Sequence, residues 1–377
     1  MLYIAFITKK QYRYFTMFND CSTLFIGYDD GNAQHKISAE SVKTSFPTHI
    51  QRSTERFAVL DETFSVSSNA PVQTKFTSAV TGNAYTIGEV KQPIPRNDDF
   101  SNSEAAQVLL QHGLNQFGDE LLNKKYVLCT GMPLRQFFKT DGSVNENNVK
   151  QKMLSMQRSF DHLGTDPESK LRKSNIEALL VQPEALAALR VFLFKRDDSG
   201  MLVHNPEYIG KTIAIADPGG KTTDIAVFDD GTIDMDRSVT QDIGFNQIVK
   251  KASNYLYDLG FTTPTHQQCR KLIDEGIVTV RGVEKDHSEW AENARKELAS
   301  KIFGAITDTL SKAVDIDLII FIGGTIAALR EEITPLIEEY YGKDNNSFLI
   351  PDEADKLNAW GLELFAELWY QNNKKNK

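Results

Sequence analysis

Apolar residues along this chain follow two rhythms. Short runs at 24–28, 126–129, 213–216, 225–228 and 318–322 are rich in Ile, Val, Leu and Phe and are bounded by Asp, Gly or Thr, which predicts strands. Other segments place apolar residues three and four apart, which predicts helices. Residues 103–117 do so through Ala106, Val108, Leu109, Leu110, Leu114 and Phe117, with Ser103 as the cap. Further helices are predicted at 243–259, 265–275, 289–313, 326–341 and 354–370. The 289–313 pattern lacks sustained heptads and reads as a packing helix rather than a coiled coil. Residues 41–103 alternate in short segments broken at Gly82-Asn83, Pro93 and Pro95, the mark of a β-rich subdomain edge. Residues 139–148 read as surface loop, 176–180 as a strand or the approach to a helix, and the lysines at 374, 375 and 377 as a frayed end.

Composition narrows the class. With 377 residues, 41% hydrophobic and 25% charged, the chain reads as a globular protein of two domains or one bilobed one. The net charge of -9 argues against direct DNA binding. Cys21, Cys129 and Cys269 are scattered without ligand spacing, which fits a reduced, cytoplasmic setting. No apolar run approaches the ~18 residues of a membrane span. Residues 1–20 read as an extra strand, as a flexible arm, or as sequence upstream of a start at Met17.

The chemistry gathers at two matching segments. Residues 213–228 read strand, Asp217, Pro218, Gly219-Gly220, Lys221, Thr222-Thr223, Asp224, strand. Glycines permit positive φ and let backbone N–H groups approach an anion. A carboxylate beside them can hold a hydrated cation against a phosphate. The same device occurs half a chain earlier, where the 24–28 strand runs into Asp29, Asp30, Gly31 and Asn32, with Lys36 beyond. Either copy alone is also a common hairpin turn. Two copies predict a duplicated fold, with loops that clamp β- and γ-phosphates from opposite sides.

Two further features fit that chemistry. Pro183-Glu184 opens a helical segment, where proline is favoured at the start and a carboxylate suits the dipole. Glu184 is therefore either a capping charge or a group that orients an attacking water. The 318–322 strand enters Gly323-Gly324-Thr325 and then a helix, either a plain βα turn or a seat for the α-phosphate and sugar. A Walker loop is excluded. Gly220-Lys221-Thr222 ends like one, but Ile215 stands where its first glycine is required, and a strand follows rather than a helix.

Taken in order, these segments resemble the ATPase superfamily of actin, hexokinase and the heat-shock chaperones. Within it they are most similar to plasmid-segregation actins of the ParM/StbA type. Asp29, Gly31 and Lys36 match that family's first phosphate motif, and Asp217, Gly219, Gly220, Thr222 and Asp224 its second. Pro183-Glu184 matches the first connecting helix with its catalytic Glu, and Ile322-Gly323-Gly324 the adenosine motif. The stretch from Thr130 to Leu134 and Asn358-Ala-Trp-Gly361 are similar to further family segments, the latter to the second connecting helix. Asn32 stands where Ser or Thr is frequent, and Lys221 where Thr is.

The resemblance implies an α/β, actin-like fold of two ribonuclease-H-like domains flanking a nucleotide cleft. It places domain I at 21–183 plus 352–377 and domain II at 184–351. It implies an ATP hydrolase with ATP and Mg2+ as cofactors. Asp29 and Asp217 would hold the metal, and Glu184 and Asp217 would be catalytic. Gly31, Asn32, Lys36, Gly219, Gly220, Lys221, Thr222, Gly323, Gly324 and Thr325 would contact the nucleotide. It further implies cytoplasmic, ATP-dependent filaments whose partners are other copies of the chain and a DNA-binding adaptor on a centromere-like site. Plasmid DNA is then reached only indirectly, and no membrane is involved. A small-molecule kinase or a non-polymerising chaperone-like ATPase of the same superfamily is the alternative.

Overall fold

The computed structural model describes residues 23–31, 34–40, 42–53, 73–88, 90, 93–96, 100–115, 124–163, 175–311, 313–343 and 345–375. Residues 1–20, Cys21 and Asn32 lie outside these. The chain divides into two compact units. One takes the described residues up to Gly131, Asn145–Val181 and Phe365 onward; the other takes Met132–Val144 and Gln182–Leu364. Residues 132–144 and 352–364 thus fall with the second unit, where the sequence reading assigns them to the first. Leu134 and Leu357 join the second unit's core.

The strands of the first unit are β1 (Thr23–Asp29), β2 (Gln34–Ala39), β3 (Val42–Pro47), β4 (Ile50–Arg52), β5 (Gln73–Thr77), β6 (Ala84–Gly88), β7 (Lys125–Met132) and β8 (Ile176–Pro183). Its main sheet has the order β3-β2-β1-β7-β8, antiparallel across β1, β2 and β3 and parallel between β1 and β7. Strands β4, β6 and β5 form a separate small sheet, the β-rich edge expected there. Helix α1 (Glu104–Leu114) is capped by Ser103, whose hydroxyl accepts from the Ala106 N–H.

After α2 (Leu134–Phe137) comes α3 (Glu146–Ser159), a helix the sequence reading passes over. Its apolar stripe of Val149, Met153 and Met156 is buried, but so are Lys152, Ser155 and Ser159. Those polar residues on the inner face dilute the periodicity.

The second unit repeats the plan. It holds α4 (Glu184–Leu193), β9 (Phe194–Arg196), β10 (Leu202–His204), β11 (Thr212–Pro218), β12 (Thr223–Asp229) and β13 (Thr232–Gln241), then α5 (Asn246–Asp258), α6 (His266–Glu275), β14 (Ile277–Val280), β15 (Val283–Asp286) and α7 (Ser288–Leu310). It closes with β16 (Leu318–Phe321), α8 (Gly324–Ala328), α9 (Arg330–Tyr341), β17 (Phe348–Leu349) and the start of α10 (Leu357–Lys375). Its sheet order, β13-β12-β11-β16-β17, mirrors the first, with two antiparallel hairpins and a parallel crossover.

Alternation along these strands builds a three-layer core. Ala214, Ala216, Ile225, Val227, Ile319 and Phe321 face a cluster made with α5, α6, α7 and α9. Ile213, Ile215, Ala226, Phe228, Ile320 and Ile322 face the opposite cluster with α4. Helices α4 and α10 meet very closely there, since a Cβ on Gly361 would fall 1.7 Å from the Ala187 carbonyl oxygen.

Two element predictions need correction. The 326–341 helix is two helices, α8 and α9, separated at Leu329. The lysine-rich end is not frayed through Lys375: α10 continues that far, with the Lys374 ammonium 4.7 Å from the Tyr370 ring centroid.

Candidate functional site

In the second unit, the β11–β12 hairpin pairs Asp217 with Asp224 across its mouth. The turn closes with the Gly219 N–H donating to the Thr222 carbonyl at 2.7 Å. Neither Gly219 nor Gly220 adopts positive φ. The tight position beside this turn is Gly244. The Phe245 N–H donates to the Gly219 carbonyl and the Asn246 N–H to the Gly220 carbonyl, at 3.1 and 2.7 Å. A Cβ on Gly244 would sit 2.7 Å from the Gly220 oxygen. The start of α5 is thereby fastened to the turn.

The β16–α8 turn lies against the same hairpin. Gly323 has φ +93°, which L side chains rarely adopt, and a Cβ there would meet Asp217 Oδ1 at 2.2 Å. Thr325 is buried, and its hydroxyl donates to the Gly219 carbonyl at 2.8 Å. The two glycine turns are therefore tied to each other. Helix α8 has only five residues, so the argument from a helix dipole contributes little at this turn.

Asp217 is held from a third direction. Asn358, in the first turn of α10, donates from Nδ2 to Asp217 Oδ2 at 2.7 Å. The other amide atom, Asn358 Oδ1, is buried and has no hydrogen-bond partner among the described residues. A half-buried carboxylate beside an unpartnered acceptor fits a hydrated cation, whose water donates to the amide oxygen while the carboxylate balances the charge. Among the described residues no group of three or more His, Cys, Asp or Glu side chains could hold a metal.

Asp224 behaves differently. It is buried, and burial raises its pKa, against the Thr240 hydroxyl bond and the Arg135 charge that lower it. It braces the hairpin from within. The Thr223 hydroxyl does likewise by donating to the Ile243 carbonyl at 2.7 Å.

The first unit carries the earlier Asp-x-Gly segment on its β1–β2 hairpin. Asp29 and Lys36 are cross-strand partners, and their side chains form a buried ion pair at 3.4 Å. Burial raises the Asp29 pKa, while Lys36 opposes that shift. Asp30 turns the other way, to a buried ion pair with Lys152 of α3. Tyr28 and His35 hydrogen-bond beneath the hairpin, and burial keeps the His35 imidazole neutral. A Cβ on Gly31 would come 2.9 Å from the Gln34 carbonyl.

Comparisons with known proteins bear on the fold. A family model described as the C-terminal domain of the archaeal, MreB-like actin homologue matches residues 215–334. No curated protein matches the chain. Among solved structures, a ParM protein from a 15-stranded filament of Clostridium botulinum superposes with a TM-score of 0.67 at 23% identity, covering 92% of this chain and 99% of that one. Actin-like protein Alp7A gives 0.67 at 17%, covering 94% and 99%. An archaeal actin homologue in complex with ADP gives 0.63 at 18%, covering 91% and 99%.

The chain has the actin-like fold.

Within this actin-like chain the predicted site residues separate by unit. Asp217, Gly219, Gly220, Lys221, Thr222, Gly323, Gly324 and Thr325 come together in the second unit, with Lys221 exposed. Asp29, Gly31 and Lys36 come together in the first. Glu184 is the first residue of α4, as its Pro-Glu signature predicts, and is half-buried. Asn358 has no role in the sequence reading. Its only signal was membership of the segment similar to the second connecting helix.

Proposed function

We propose that this chain is an ATPase that binds Mg2+-ATP, polymerises into filaments in that state, and releases its longitudinal contacts after hydrolysis. Such filaments segregate plasmid DNA in the cytoplasm through a DNA-binding adaptor on a centromere-like site. The net charge of -9 favours that indirect link over contact with the duplex itself. The observation that carries the nucleotide reading is the fixing of Asp217 by Asn358 and Gly323, inside two glycine turns joined through Thr325. Support for assembly comes from the fold shared with the ParM filament protein, and for the nucleotide from the ADP-bound archaeal homologue.

Bound Mg2+ supplies charge neutralisation and polarisation of the terminal phosphoryl group. The chain's own groups do the positioning. Asp217 holds the ion's water shell, and Asn358 keeps that carboxylate in one orientation. The turns at Gly219-Gly220 and Gly323-Gly324 let the nucleotide approach the backbone. In the first unit, Asp29, Gly31 and Lys36 form the other proposed phosphate loop, with Asp29 as its cation-facing carboxylate. Glu184 orients the attacking water. Electron micrographs with a non-hydrolysable ATP analogue test the reading: filaments are expected, and dispersed particles across a range of salt and Mg2+ would contradict it.

A further inference from the structure

Helix α7 carries an unusual feature at each end. At its C-terminus, Leu310, Val314, Ile316, Tyr340 and Tyr341 line a cavity of about 240 Å³. Val314 is 97% exposed and Tyr340 58%, so this apolar pocket opens to solvent. The neighbours of its lining residues in the chain are mostly acidic. Asp308, Asp315 and Glu339 are exposed, with Asp315 also ion-paired to Arg237, and Lys343 is an exposed base among the described residues.

At its N-terminus stands the β14–β15 hairpin. Its two-residue loop, Arg281-Gly282, has positive φ at both positions, the geometry of a tight primed turn. Every residue of β15 is exposed, and Val283 beside the loop is 61% exposed. The hairpin thus presents an apolar knob with Arg281 next to it and Lys285 two residues on, while the intervening Glu284 is ion-paired to Lys271 and Asp286 accepts from the Ser288 N–H. A pair of strands alone is marginally stable, and an edge strand left open invites a partner.

We infer that the hairpin of one copy docks in the pocket of the next copy, with Val283 against Val314 and Tyr340 and Arg281 facing the acidic rim. The occupant is a second copy of this chain because it carries an exposed apolar residue, Val283, flanked by Arg281, to set against the pocket's apolar lining and acidic rim. The 23 residues of α7 separate knob from pocket by about 35 Å. A contact between unlike surfaces at opposite ends of one helix is heterologous, so it propagates as a line rather than closing as a pair. The inference rests on the filament reading and names its contact.

Analytical ultracentrifugation with a non-hydrolysable ATP analogue tests it on Val283→Asp and Val314→Asp. Each variant keeps one good surface. Each alone should remain monomeric while the wild type sediments as polymer. An equimolar mixture should sediment at twice the monomer mass, which also shows that both variants are folded. Variants that polymerise like the wild type, or a mixture that stays monomeric while the wild type polymerises, overturn the contact. As a second measure, copies carrying Val283→Cys should cross-link to copies carrying Val314→Cys through a short bismaleimide, and no product above the wild-type background counts against it. A wild type that never assembles defeats the filament reading itself, a result distinct from the others.

Discussion

Asn358 donates to Asp217 at 2.7 Å across 141 positions of sequence, from the first turn of α10 to the end of β11. A hydrogen bond to a charged group is worth about 1.5–3 kcal/mol. Asn358→Leu should therefore weaken Mg2+-nucleotide binding by roughly ten- to a hundredfold. Asp217→Ala should weaken it further. Calorimetric titration with and without Mg2+ checks this, because the loss should be confined to the metal-containing arm.

Gly323 leaves no room for a methyl group, both because of its φ of +93° and because Asp217 Oδ1 would be 2.2 Å away. Gly323→Ala should cost about 1–3 kcal/mol of stability and displace the carboxylate. A melting curve and a nucleotide titration on the same variant should both shift. An unchanged affinity would separate this turn from the nucleotide.

Glu184 lies at the start of α4, where a carboxylate also favours the helix dipole. Glu184→Ala should leave nucleotide affinity near wild type and slow hydrolysis by about 10²–10³, the usual effect of removing one positioned polar group. Single-turnover phosphate release measures it. Normal turnover with a lowered melting temperature would make Glu184 a capping charge only.

Glu104 gives a pH signature independent of the site. Burial opposes its charge, but hydrogen bonds from Thr81, Asn83, Tyr85 and Ser78 outweigh that and hold its pKa down to about 2, from 4.5. A depressed carboxylate stabilises the fold fully above the unfolded pKa and loses that contribution as pH falls toward the folded one. Glu104→Gln should thus be less stable than wild type by about 1 kcal/mol at pH 7, after allowance for solvent screening. The gap should shrink between pH 5 and pH 2. Denaturant titrations at several pH values would show it.

The central strands β1, β7, β11, β12 and β16 were legible because each is a short apolar run ended by Asp, Gly or Thr, whereas the edge strands β13 and β17 were not. Both Asp-x-Gly hairpins were legible for the same reason, and with them the duplicated plan. Helix α3 was not, because its inner face carries Lys152, which is paired with Asp30 and looks like a solvent position in sequence. The β14–β15 hairpin was hidden because β15 has no buried side and so no alternation. Gly219 and Gly220 form the expected turn without positive φ, and the tight approach of α5 to it rests on Gly244, which the sequence reading did not single out for closeness. Asn358 could not be found locally, because its partner lies in a distant strand.

The central claim is that the chain is an ATP-driven polymer. Sedimentation of the wild-type protein with Mg2+-ATP, followed over time beside an Mg2+-ADP sample, tests it most directly. The account predicts a pellet that forms with ATP, declines as phosphate is released, and is absent with ADP. Equal amounts in the supernatant with either nucleotide, at every salt and Mg2+ concentration tried, would contradict it.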